Sequence, residues 1–482
     1  MTMIDKIKEL EKTSQLLDPG QDQRDQWNSE VLDYANTFIN TLDTSKAFYH
    51  SEENGKSLYK LDITEEATDL TSLLESTKAN IDLVGINPAS NGHMGYIPGG
   101  GLYPSALGDY IAAISNRYAG AFFTAPGAVR LENMLIRWMC RLMGYPENAI
   151  GNLTSGGSIA NLIAIVTARE AYGIKARDIE NSVIYLSEQA HHSIQKAIRI
   201  AGLSEVQLRY IPLDKGLRLS VTELEKAILS DKEKGLKPFF INASFGTTNT
   251  GAIDPIDPIA AIAEKYNLWF HVDAAYGGFF KLVAGMDPKF RGIEKADSIT
   301  LDPHKTLFLP FGTGCILIKN KEKLFKAFHY LADYMQDTVD AIEEVSPADI
   351  SPELTKHFRG MRLWLPLKLF GLKPFRAALQ EKLLLTRYFY DKIKQTEGFE
   401  VGPEPELSVA MFRYIPSGGD ANEFNKKLIR AIQTDGRIFL SSTTVDGIFW
   451  IRVAVVIFRI HLEQMDLLLR IIQEKVDELS DK

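Results

Sequence analysis

Four short stretches of the chain carry residue types that could do chemistry. The first, Leu153-Thr154-Ser155-Gly156-Gly157-Ser158-Ile159-Ala160-Asn161, opens an apolar helix with glycines and hydroxyl residues. Free N–H groups at a helix N-terminus make an anion site, and glycine lets the backbone approach a phosphate closely. It matches neither the dinucleotide fingerprint nor the P-loop, and a glycine turn with a serine cap reads the same way. The second, Trp269-Phe270-His271-Val272-Asp273-Ala274-Ala275-Tyr276-Gly277-Gly278, runs an apolar strand straight into an aspartate and small residues. An aspartate at that end of a parallel strand faces the ligand crevice of an open α/β sheet. It could bind a metal, a ribose or a protonated ring nitrogen, or simply cap a turn.

The third stretch is Asp302-Pro303-His304-Lys305-Thr306, again after a strand. Proline turns the chain here and projects Lys305 near a sheet end. The apolar run Leu307-Phe308-Leu309-Pro310-Phe311 beside it would desolvate the ammonium, which suits a Schiff-base lysine. A surface lysine lying over apolar groups reads the same. The fourth, Glu188-Gln189-Ala190-His191-His192-Ser193, opens a helix with two histidines, one able to stack on a flat ring. No H-E-x-x-H or C-x-x-C pattern accompanies them, so no metal is expected. Separately each stretch is ambiguous. Together they supply an anion cup, a ring-stacking histidine, a carboxylate for a pyridinium nitrogen and a lysine for an aldehyde, which is the set pyridoxal 5'-phosphate requires.

Something must hold these stretches at one edge. Apolar runs at 182–186, 208–213, 238–245, 268–274, 298–301 and 314–318 alternate with helical patterns at 158–172, 193–200, 221–230 and 257–266. Near-continuous apolar strands between helices predict an α/β body with a mainly parallel sheet. Three segments are expected: a helical N-terminal segment over 1–85, a large α/β domain over 86–375, and a small α+β domain over 376–482 with strands at 407–414 and 448–456. A break at Gly371-Leu372-Lys373-Pro374 separates the last two.

The bulk numbers limit the partners. With 482 residues the chain exceeds the usual size of one core, and its net charge of −8 does not suit nucleic acid or an anionic membrane. Two cysteines, Cys140 and Cys315, cannot form a disulfide framework for this length, so a reducing compartment and a cytoplasmic location are expected. The N-terminus lacks a signal-peptide pattern, and no apolar run approaches a bilayer span.

On the His271–Gly278 strand, the Pro303-His304-Lys305 turn, Glu188-Gln189-Ala190-His191 and Asn242-Ala243-Ser244-Phe245-Gly246-Thr247-Thr248, the sequence resembles the pyridoxal-phosphate-dependent amino acid decarboxylases. That family includes aromatic amino acid and glutamate decarboxylases and has the aspartate aminotransferase (type I) fold. The resemblance spans about 93–370. It implies a seven-stranded-type, mainly parallel sheet and an obligate homodimer with active sites at the interface, the N-terminal segment packing on the partner.

Residue by residue, the resemblance implies that Lys305 carries the cofactor as a Schiff base, Asp273 pairs with the ring nitrogen and His191 stacks on the ring face. Gly157 and Ser158 bind the phosphate with His304 close by, Ala275 packs under the ring, and Thr247 sits near the cofactor oxygen or the substrate carboxylate. The implied reaction is decarboxylation of an L-amino acid to the amine and CO₂ through an external aldimine and quinonoid. A proton donor at Cα must complete it. Aromatic-specific members use a loop tyrosine; the corresponding run here, 340–358, has none, and Tyr334 is the candidate. Without a donor such enzymes divert to oxidative chemistry that yields an aldehyde. The loop His93-Met94-Gly95-Tyr96-Ile97-Pro98-Gly99-Gly100-Gly101 matches the family's substrate pocket, through Tyr96, Ile97 and Pro98, and leaves the side-chain class open. Arg117, Arg130 and Arg359 are available for a distal carboxylate, each with a structural reading beside it. Transamination and sulfur removal are rivals on the same fold, the latter needing a loop cysteine where Cys315 follows in a strand. A non-catalytic binding protein that keeps the fold, or a nucleotide-binding α/β protein, would be rivals of another class.

Overall fold

The run Lys237-Pro238-Phe239-Phe240-Ile241-Asn242-Ala243-Ser244 is buried from Phe239 onward, so both of its faces need cover. That cover is present in the computed structural model, which describes residues 1–329 and 344–481. The chain divides into two units, Met1–His93 with Gln433–Phe439, and Met94–Ile432 with Leu440–Lys482.

In the first unit, helices Met3–Ser14, Gln21–Asn40 and Leu70–Thr77 accompany a short ladder of Phe48–Tyr49 against Gly85–Ile86. Thr2 and Asp5 close the first helix with a reciprocal capping box, and its apolar side chains Met3, Ile4, Ile7 and Leu10 are all exposed. Leu70–Thr77 falls in a stretch with few sequence signals; it starts where the Asp69 carboxylate accepts the Ser72 N–H at 2.9 Å.

The second unit carries a seven-stranded sheet: β1 Ile150–Thr154, β2 Ser182–Ser187, β3 Gln207–Ile211, β4 Lys237–Ser244, β5 Trp269–Asp273, β6 Ser298–Leu301 and β7 Gly314–Ile318. Their order is β1-β7-β6-β5-β4-β2-β3. Only β7 runs against its neighbours, so the mainly parallel sheet expected from the apolar runs is present. β1 is the strand that the apolar-run reading passes over. Its sequence Ile-Gly-Asn-Leu-Thr has no continuous apolar run, and antiparallel pairing to β7 (Ile150 opposite Ile318) makes it a strand.

Side chains alternate to two packed layers. Val183 and Tyr185 point to a core shared with helices Pro126–Leu142 and Ile256–Tyr266. Ile184 and Leu186 point to the other, against Gly157–Ala171 and Ser193–Ile200. A separate four-stranded antiparallel sheet orders Phe399–Val401, Val409–Tyr414, Ile448–Ala454 and Ser441–Val445 side by side, with helices Leu372–Gln395 and Leu462–Ser480. Among the described residues no helix is long and apolar enough to cross a membrane.

Candidate active site

Because β1, β2, β4, β5 and β6 run in one direction, the loops after Thr154, Ser187, Ser244, Asp273 and Leu301 all open at one edge of the sheet. There they line a cavity of about 330 Å³. Gly157, Ser158, His191, Thr247, Asp273, Ala275, His304 and Lys305 all contribute to its wall. The structure therefore brings these eight together. Tyr96, Ile97 and Pro98 are not in that wall; Tyr96 is exposed at φ 53°, and Ile97 and Pro98 are buried. Their loop reaches the site through Gly99, where a Cβ would lie 2.7 Å from the Lys305 carbonyl oxygen. Tyr334 lies outside the described residues. Arg117, Arg130 and Arg359 do not line the cavity; Arg130 lies over the Phe122 ring and Arg359 pairs with Glu353.

One wall is the N-terminus of helix Gly157–Ala171, where unpaired N–H groups and the helix dipole favour an anion. Gly157 cannot be replaced cheaply, since a Cβ would sit 2.9 Å from Asp302 Oδ2. Asp302 is the group that motif reading undervalued. Its carboxylate is buried, with Oδ2 at 2.9 Å from Lys305 Nζ and Oδ1 without a hydrogen-bond partner. Beside the buried apolar run Leu307-Phe308-Leu309, Lys305 makes an ion pair across one turn of the short helix Pro303–Thr306. His304 donates through Nδ1 to the Thr313 carbonyl at 2.6 Å, and burial lowers its pKa.

The same cavity is lined by the Asp273 carboxylate. Asp273 Oδ1 accepts the Ala275 N–H at 3.1 Å and Oδ2 accepts Asn161 Nδ2 at 2.9 Å. His191 Nδ1 lies 2.7 Å from Ser193 Oγ, and burial lowers this imidazole's pKa, which favours the neutral ring. The Thr247 hydroxyl shares a 2.6 Å hydrogen bond with Thr250 and accepts the Ala252 N–H at 3.2 Å. Behind this loop Arg452, brought to a pKa of about 10 by burial, donates to the Thr248 and Asn249 carbonyls. Asn161 and Ser193 had no assigned role in the sequence. The available signal was a side-chain amide among the buried apolar residues Ala160, Ile163 and Ala164 of helix Gly157–Ala171.

These residues fit pyridoxal phosphate. The glycine cradle leaves room for a phosphate at the helix N-terminus, Asp273 keeps acceptor capacity toward the cavity, and the Lys305 primary amine lines the same cavity.

Comparison with known proteins bears on the family. The pyridoxal-dependent decarboxylase conserved domain matches residues 53–415. An aromatic-L-amino-acid decarboxylase of Bacillus atrophaeus is 34% identical over 424 residues, 87% of this chain and 88% of that protein. A phenylacetaldehyde synthase of Petunia hybrida is 31% identical over 383 residues, 75% of each. Among solved structures, Oryza sativa TDC with PLP and tryptamine superposes with a TM-score of 0.91 at 21% identity, covering 96% of this chain and 99% of that one. The chain belongs to the pyridoxal-dependent decarboxylase family, and it is a carboxy-lyase that acts on an amino acid with pyridoxal 5'-phosphate.

Proposed function

We propose that the substrate is an aromatic L-amino acid, decarboxylated to its amine, with Lys305 as the Schiff-base lysine. The observation that carries the site assignment is one cavity whose lining includes both Lys305 and Asp273. Support for the aromatic class comes from the 34% identical Bacillus atrophaeus relative, which is named for that activity.

Bound pyridoxal phosphate supplies an electron sink for the pair left when the substrate carboxylate departs as CO₂. The chain's own residues do the rest. Gly157 and Ser158 offer backbone N–H groups to the phosphate, with His304 beside them. Asp273, held by Asn161 and the Ala275 N–H, keeps a proton on the ring nitrogen. His191 would cover a bound ring and Ala275 would pack under it, both being in the cavity wall. Thr247 lies near the cofactor oxygen or the substrate carboxylate. The Lys305 amine yields its position to the substrate amine and takes it back after turnover. The C–C bond to the carboxylate breaks, CO₂ leaves, and one proton is added at Cα. Tyr334 is the candidate donor of that proton, and Tyr96, Ile97 and Pro98 are the candidate substrate loop.

The enzyme works as a cytoplasmic homodimer, with residues 1–85 packing on the partner subunit as one of three segments (1–85, 86–375 and 376–482). Exposed apolar side chains support this: Leu107, Ile111 and Ile114 on helix Tyr103–Ser115, and Met3, Ile4, Ile7 and Leu10 on helix Met3–Ser14. Two free, buried cysteines agree with a reducing compartment.

The test is product analysis of the cofactor-loaded protein with phenylalanine, tyrosine, tryptophan and 3,4-dihydroxyphenylalanine. One amine per CO₂ from any of them is the expected result. Aldehyde with ammonia would install the second reading, which the Petunia hybrida relative named phenylacetaldehyde synthase supports. No CO₂ from any of the four would overturn the aromatic assignment.

A further inference from the structure

The Asp273 carboxylate is one member of a longer buried chain whose centre is Asn161, 1% exposed. All four hydrogen-bonding positions of its amide are used. Nδ2 donates to Asp273 Oδ2 at 2.9 Å and to Ser193 Oγ at 3.0 Å. Oδ1 accepts from Thr300 Oγ1 at 2.7 Å and from His271 Nε2 at 3.1 Å. The reverse orientation would set the amide oxygen against a carboxylate, so the charge on Asp273 fixes which way Asn161 faces.

That orientation propagates. An acceptor-only Oδ1 requires His271 to carry its proton on Nε2, and burial, which brings its pKa to about 4, leaves the ring neutral. His271 Nδ1 must then accept from Ser298 Oγ at 2.8 Å, which in turn takes the Trp269 indole N–H at 2.8 Å. On the other branch Ser193 Oγ accepts the Asn161 N–H, and among the described residues His191 Nδ1 at 2.7 Å is the acceptor its own proton meets. The Ser193 backbone N–H also points to that nitrogen, at 3.3 Å. Every donor in the chain meets an acceptor in one direction only.

We infer that Asn161 is a positioning residue that locks Asp273 as a fixed hydrogen-bond acceptor and, through Ser193, holds His191 as its Nε2–H tautomer. The inference rests on the reading of Asp273 and His191 as cofactor contacts. A neutral histidine with Nδ1 occupied from behind presents one defined edge to a ring, and a carboxylate with one oxygen tied back cannot rotate away from a ring nitrogen. The titratable groups that interact electrostatically with His191 are Asp273, Lys305, His192 and Asp302.

The test uses [¹⁵N]histidine-labelled holoenzyme and solid-state NMR of the imidazole nitrogens, with His191 assigned by its loss in His191→Gln. Wild type should show His191 unprotonated at Nδ1 and protonated at Nε2. Ser193→Ala removes the 2.7 Å hydroxyl donor to Nδ1 and leaves only the 3.3 Å backbone N–H; it should mix the tautomers while leaving the pH profile of kcat/KM in place. Asn161→Asp sets a second carboxylate against Asp273, and the two must share a proton, so the acidic limb should move up by about one pH unit or more. Asn161→Leu should lose both signatures and about tenfold or more in kcat. An unchanged His191 tautomer in Ser193→Ala, or an unmoved acidic limb in Asn161→Asp, overturns the inference. Should the tautomer respond while the visible spectrum and activity stay at wild-type values, the chain of hydrogen bonds stands and the assignment of His191 to the cofactor falls.

Discussion

Lys305 Nζ lies 2.9 Å from Asp302 Oδ2, three residues earlier in the chain, and that carboxylate keeps its other oxygen buried without a partner. The same Oδ2 is 2.9 Å from where a Cβ on Gly157 would stand, so the carboxylate packs against the first residue of the helix Gly157–Ala171, beside the place a phosphate would take. Two like charges at one helix N-terminus repel. Asp302→Asn keeps the shape and removes the charge. It should tighten the binding of pyridoxal phosphate to the apo-protein several-fold, measured by fluorescence titration. Weaker binding would instead assign the carboxylate the task of orienting Lys305.

Asp273 has no cationic side chain among its hydrogen-bond partners; a backbone N–H and an amide hold it in place. Its charge is therefore available to a protonated ring nitrogen. Asp273→Asn should keep the fold and the cofactor yet lose about 10²–10³ in kcat, as removal of a preorganised electrostatic group does. Lys305→Ala should lose the visible Schiff-base absorption and its sensitivity to borohydride. Near-wild-type turnover in the first, or a surviving band in the second, would remove the assigned role.

The parts of this architecture that repeat a period or a residue type were legible in the sequence. The buried strands read directly, because apolar residues on both faces leave continuous runs such as Phe239-Phe240-Ile241. Strand Ser441–Val445 did not, since hydroxyl residues make most of it and pairing with Ile448–Ala454 makes it a strand. Its signal was the turn: Asp446 and Gly447, at φ 50° and 76°, form the two-residue hairpin. At the site, lysine, aspartate, histidine and glycines each sit at a strand or helix end and carry a recognisable chemistry. Asn161 and Ser193 do not, because their part depends on a hydrogen-bond direction that only three-dimensional neighbours define.

Burial sets an acid response. His271 and His93 are both brought from 6.5 to about 4 by desolvation. Between those values the unfolded chain binds protons that the folded chain does not, so stability is full above pH 6.5 and falls as pH drops toward 4. Asp254 works the other way. Burial raises it from 3.8 to about 6, so the folded chain holds the extra proton and gains stability as pH falls through that range. At pH 5 linkage gives a loss of about 2 kcal/mol per histidine against a gain of about 1 kcal/mol from the aspartate. Urea midpoints should therefore fall from pH 7.5 to pH 5, and Asp254→Asn should steepen the fall. A flat or rising midpoint would mean that the histidines are protonated in the folded chain.

A fully buried ion pair ties the segment after residue 344 to the sheet. Lys356 Nζ, with no exposed side-chain surface, donates to Glu132 Oε2 at 2.8 Å, Asn152 Oδ1 at 2.9 Å and the Leu153 carbonyl at 3.2 Å. Glu132 Oε1 accepts the Gly360 N–H at 3.0 Å, so the lysine's three protons and both carboxylate oxygens are all used. Asn152 and Leu153 lie on β1, which leads into the glycine cradle. Lys356→Met leaves a carboxylate buried without its counter-charge and should cost about 3–5 kcal/mol in urea unfolding. Adding Glu132→Gln removes the stranded charge, so the double variant should be more stable than Lys356→Met alone, a coupling that a double-mutant cycle reads directly. Both variants loosen β1 at the cup and should weaken cofactor binding. A cost below about 1 kcal/mol for Lys356→Met would show that water reaches Glu132 once the lysine is gone, and that the pair does not anchor this strand.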